Sequence, residues 1–174
     1  MCDGIELDLD EIREVAAFAT VCAREVLGLF EADRPDDARP RAAVDAASAF
    51  AMGGARTIPL RQAATAANRA ARETTTPAAR EAALSAGHAA ASAYLHPLAR
   101  AHQVRHVLGS AVHAARAVEL AAGDDPAVGL GHLDELAPNA SPVVVDVLRR
   151  YPVAPAGAGR VAELLRHIDA ALRG

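Results

Sequence analysis

Five of the seven histidines in this chain fall between residues 88 and 113: His88, His96, His102, His106 and His113. Imidazole exchanges a proton near neutral pH, so such a concentration points to acid/base chemistry or to metal binding. At about 100° per residue, His102, His106 and His113 share one stripe of a helix, roughly 140° around from an apolar stripe through Leu108. His102 and His106 have the spacing by which one helix offers two imidazoles to a single metal. The residues between them are Gln103, Val104 and Arg105, so no HExxH motif is present, and Arg105 disfavours a second cation. These two histidines are weak metal candidates, and no cofactor is implied. The plainer reading is a half-buried face whose histidines bond backbone groups or carboxylates.

A second polar stripe precedes the first. Glu81, Ser85, His88 and Ser92 share one face of an otherwise Ala-rich helix. A Glu beside a His orients the imidazole and raises its basicity. The residue types suit acid/base chemistry by His88 or His106, with Glu81 as the orienting carboxylate. No strained nucleophile turn or oxyanion-hole loop accompanies Ser85, and a solvated face is again the plainer reading. If the two helices are antiparallel neighbours, both stripes face one cavity. A third face carries Arg61, Thr65, Asn68 and Arg72, and two guanidiniums with an amide suit a carboxylate or phosphate. Its plainer reading is ordinary surface. The ligand-binding candidates are therefore His88, His102, His106, His113, Asn68 and Arg72, in a pocket expected between the third, fourth and fifth helices.

Helices must position all of these side chains. A first helix is expected over about 9–31, capped by Asp8 or Asp10, with Ile12, Val15, Ala19, Cys22, Val26 and Leu29 inward. Pro35 and Pro40 break the next segment, and Pro40 suits the start of a second helix that ends near Gly53 and Gly54. A third helix runs from about Pro59 to Glu73. Thr76 and Pro77 open a fourth that reaches Tyr94, buried through Ala79, Ala82, Ala86, Ala90 and Ala93. Pro97 is expected to open the fifth, which lacks a clean polar face and so should be central in its bundle. Helices over about 127–136, from Ser141 to before Tyr151, and over 158–172 complete the pattern. The expected fold is all-α: one domain over 1–174, a bundle of seven to eight helices with an Ala-rich core at about 9–122 and a helical extension at 127–173.

Composition narrows the function classes. Hydrophobic residues make up 52% of the chain, but aromatics only 3%, so the apolar mass is mostly Ala with Val and Leu. A net charge of −4 and the lack of a basic, aromatic-interleaved patch argue against nucleic acid as a partner. No stretch approaches the ~20 apolar residues of a membrane span, and the acidic start is unlike a signal peptide. A cytoplasmic protein is the expectation. A small-molecule ligand and a homo-oligomer stay open.

Several segments resemble a known family. FATVCAREVLGLFE (18–31), then DDARPRAAVDAASAFA (36–51), REAALSAGHAAASAYLHP (80–97) and the tail RRYPVAPAGAGRVAELLRHIDAALR (149–173) are similar to a bacterial family of all-helical immunity proteins, grouped near those of polymorphic toxins. The shared pattern is a helix ending in LFE, a Pro-broken loop, then Asp37, Arg39, Pro40 and Arg41 before an Ala-rich helix. The residues of this motif read as structural, with Arg39 bridging back to Glu31 or Asp33. The chain departs from the pattern at Phe50, where the family has Trp, and at Asn68, where it has His. The resemblance implies a helical, non-enzymatic protein with a toxin-domain partner. It carries over no catalytic residues. The alternative is a small helical enzyme or ligand binder using the histidine pocket.

Overall fold

The structure, a computed structural model, describes residues 4–174. These residues form eight α-helices: α1 (Leu9–Asp33), α2 (Arg39–Ala51), α3 (Ile58–Ala71), α4 (Pro77–Ala91), α5 (Val104–Ala121), α6 (Pro126–Leu136), α7 (Pro142–Arg150) and α8 (Arg160–Arg173). The fold is an all-α bundle. Among the described residues there is no strand, and an isolated antiparallel bridge joins Gly4 to Leu98.

Local chemistry starts most of the helices. Asp8 caps α1 through a reciprocal capping box: its carboxylate accepts the Glu11 N–H at 2.8 Å, and the Glu11 carboxylate accepts the Asp8 N–H at 2.9 Å. Thr57, Thr76, Asp125 and Ser141 cap α3, α4, α6 and α7, each with a Pro in the first two helical positions. A Pro there gives up only an N–H that has no intrahelical acceptor. Gly53 and Gly123 adopt positive φ just past α2 and α5, the left-handed turn that stops a helix.

The fifth helix departs from expectation. Pro97 does not open it; α5 begins at Val104, after a 3₁₀ turn at Ala101–Gln103. One long-range bond and one local bond hold the intervening segment out of the helix. The Pro97 carbonyl accepts the Ile5 N–H at 3.1 Å, and buried Gln103 accepts the His96 N–H at 3.1 Å. The fourth helix likewise tightens to a 3₁₀ turn over Ser92–Tyr94.

The centre of the bundle belongs to α4 as much as to α5. Ala79, Ala82, Ala86 and Ala90 are buried as expected, but so are Ala83, Ser85, Gly87 and Ala89 on the remaining faces. α4 packs against α1, α2, α3 and α5, while α5 packs against α1, α4, α6 and α8. Small side chains permit this enclosure. A Cβ on Gly87 would come within 2.5 Å of the Asn68 Oδ1, so α3 lies flush on α4 there. Burying a methyl-sized group is worth only about 0.8 kcal/mol, against about 1.5–3 kcal/mol for a Leu or Phe. The larger side chains Phe30, Phe50, Leu108, Leu133, Leu148 and Leu164 therefore anchor the bundle around the Ala-rich pair.

Charged groups tie the later helices to the earlier ones. Glu119 of α5 is fully buried and accepts from Arg160 of α8, with Nε at 3.0 Å from each carboxylate oxygen and Nη2 at 2.7 Å. Arg116 closes on the same carboxylate, and Arg160 also donates to the Pro126 carbonyl at 2.8 Å. Arg150 of α7 pairs with Glu11, and the Tyr151 hydroxyl donates to the His96 carbonyl at 2.7 Å.

The Asp37–Arg41 motif fixes the loop between α1 and α2, through other partners than expected. Arg39 donates to Asp37 (2.9 and 2.6 Å) and crosses to Glu73 beyond α3 (2.5 Å), instead of reaching back to Glu31 or Asp33. Arg41 takes Glu31 at 2.6 Å, and Asp33 accepts the Thr75 N–H at 2.9 Å. Pro40 sits in the first turn of α2. The Arg39 guanidinium holds the carboxyls of Asp37 and Glu73 below their ordinary range.

Candidate functional site: a histidine-lined cavity

Two serines set the pairing of α4 with α5. The Ser85 hydroxyl donates to the Ser110 carbonyl at 2.8 Å, and the Ser110 hydroxyl donates to the Ala19 carbonyl of α1 at 2.7 Å. Both serines are buried, so the Ser85 proton is committed to packing. One turn earlier on α4 and one turn later on α5, Glu81 meets His113. The antiparallel pairing thus brings Glu81 and His88 of one stripe against His113 of the other.

The Nδ1 of His113 donates to Glu81 Oε2 at 2.6 Å, with both side chains largely buried. A carboxylate can only accept, so Nδ1 carries the proton of this bond. His88 stacks on this ring, with centroids 4.8 Å apart and planes 19° from parallel. Burial pushes the His88 pKa down to about 3, and His113, His106 and Arg105 add to the effect. A backbone contact with Arg105 acts weakly the other way. His88 is therefore a neutral imidazole at physiological pH. It fits between the helices because residue 109 is Gly: a Cβ there would lie 2.5 Å from the His88 Nδ1.

These side chains border a cavity of about 270 Å³. Its floor is His88, Gly109, Val112 and His113, Arg105 stands exposed at its edge, and Val161, Ala162 and Leu165 of α8 form the opposite wall. The expected pocket between the third, fourth and fifth helices is not where the space lies. α3 closes on α4 around Gly87, whereas α8 packs on α5 and leaves a gap beside His88.

The other candidates lie apart from this cavity. His106 is half-buried, its pKa lowered mainly by burial, and its Nδ1 is buried with no hydrogen-bond partner among the described residues. His102 is exposed, in the 3₁₀ turn, with its Nε2 2.8 Å from Gln103 Nε2. That turn breaks the helical register assumed for the His102–His106 pair. Asn68 and Arg72 are exposed on the α3 side. Among the described residues, no three His, Cys, Asp or Glu side chains converge in a way that could hold a metal ion. No helix among them is long and apolar enough to cross a membrane.

The cavity joins the carboxylate-oriented imidazole of His113, the neutral imidazole of His88 and an apolar wall. Such a set can accept or donate a proton, or hold a small ligand. Spacing within one helix does not reveal what Arg105, Gly109 and α8 contribute. A glycine in mid-helix one turn from a histidine was the available signal.

A family model described as Imm-5 like putative immunity protein matches residues 6–134, about three quarters of the chain. No curated protein and no solved structure matches it. The matched stretch holds Glu81, His88, Arg105 and His113, while the α8 wall lies beyond it.

Proposed function

We infer, from the premise that this chain belongs to the family of Imm-5 like putative immunity proteins, that it binds a toxin-domain protein and neutralises it. Family membership is the observation that carries this reading. Neutralisation would proceed by covering the toxin's active site or the surface it uses on its own target, and on this reading the encounter takes place in the cytoplasm. Loops pinned by ion pairs, such as Arg39 between Asp37 and Glu73, suit a preformed binding surface. The net charge of −4 favours a basic partner, such as a nuclease domain.

The test is to identify the product of the neighbouring gene and, where it carries a toxin domain, to co-express it with this chain. Restored growth and a co-purifying complex are expected. Persistent growth arrest with both proteins folded and no complex formed would remove the reading.

The cavity supports a second reading, a ligand-binding or acid/base role for His88 beside the Glu81-oriented His113. The two readings separate on variants. Replacing His88 and His113 with Gln leaves neutralisation intact in a folded immunity protein, and abolishes turnover or binding if the cavity is the working part.

A further inference from the structure

The cavity between α4, α5 and α8 is polar on one side and apolar on the other. At about 270 Å³ it falls just below the ~300–1,000 Å³ of drug-sized pockets. Its occupant is therefore small. Val112, Val161 and Leu165 ask for an apolar body.

The charged groups decide the head group. The Arg105 side chain is exposed at the edge of the cavity, and its guanidinium has no hydrogen-bond or ion-pair partner among the described residues. The carboxylate behind the site, Glu81, is already engaged by His113. A cationic ligand would meet Arg105 and find no free carboxylate. A phosphate dianion would need more donors than one guanidinium and the imidazole edges supply. A neutral ligand would leave the guanidinium unused. A single carboxylate matches the planar fork of Arg105, which can hold both oxygens at once.

We propose that this cavity binds a small monocarboxylic acid, with its carboxylate on Arg105 and its short apolar body against Val112 and α8. The inference rests on the cavity reading above and adds the chemical class of the ligand. Because α8 supplies the apolar wall, the bound acid also fastens the C-terminal helix to α5.

The experiment uses the full chain with hexanoate and benzoate, their neutral amides, and hexylamine. Binding is read by calorimetry and by the side-chain NMR signals of His88 and His113. The acids shift both histidines saturably, and the amides bind about ten- to a hundredfold more weakly, the range for a hydrogen bond to a charged group. Arg105→Gln lowers acid affinity by a similar factor and leaves amide affinity unchanged. Arg105→Lys, which keeps the charge but not the fork, recovers part of it. Amides that bind as tightly as acids, with Arg105→Gln silent, overturn the carboxylate assignment and leave the cavity reading standing. If none of the five compounds perturbs either histidine, both are overturned.

Discussion

Acidification puts the burial of His88 to a direct test. The ring lies between α4 and α5 against His113, and its pKa is pushed from 6.5 to about 3, chiefly by burial and then by the nearby His113, His106 and Arg105. A folded-state pKa below the unfolded value means that the unfolded chain takes up the proton first. The stabilising effect of keeping His88 neutral is fully present above about pH 6.5, declines as the pH falls below that, and is exhausted near pH 3. Inside this window each pH unit costs about 1.4 kcal/mol. Between pH 7 and pH 5 the loss from this one group is about 2 kcal/mol, a large share of a typical domain's stability. Urea denaturation of the wild type and of His88→Gln at both pH values isolates the effect, because His113 and His106 remain in both proteins. The variant should be less stable at pH 7, having lost the stacked ring, yet about 2 kcal/mol less sensitive to the drop in pH. Equal pH dependence in the two proteins would refute the argument. So would a His88 NMR titration centred near pH 6.5 in the folded state.

Two further substitutions probe the packing around the site. Glu119→Ala leaves Arg116 and Arg160 facing an empty, buried position, and should cost about 3–5 kcal/mol in chemical denaturation; a loss below about 1 kcal/mol would mean the pair is not desolvated. Gly109→Ala gains about 1 kcal/mol of helix propensity but drives a Cβ to 2.5 Å from the His88 Nδ1. Its net effect should be a loss of about 1–3 kcal/mol with displaced His88 and His113 signals, and a variant as stable as the wild type would show that the ring is free to move.

Much of the helical framework was legible in the chain because its determinants are local. A Ser, Thr or Asp followed by Pro marks a helix start within two residues, and Thr57, Thr76, Asp125 and Ser141 all do so. The onset of α5 was not legible, because what keeps Pro97 out of a helix is the Ile5 N–H, more than ninety residues away. Nor was the centrality of α4, since Ala carries no preference strong enough to say whether a face meets water or another helix. The burial of Glu119 depends on Arg160 arriving from α8, a contact that no local pattern marks.

The site divides the same way. Periodicity alone placed Glu81 and His88 on one face and His106 and His113 on another, because side-chain direction along a helix follows from residue spacing. That the faces meet was decided by the antiparallel pairing of α4 and α5 through Ser85 and Ser110. Only then could Glu81 orient His113, and His88 stack beside it. The cavity itself was decided by α8, which no pattern within residues 80–120 could foretell. Helical spacing states which residues share a face, and contact between faces depends on how the whole bundle excludes water.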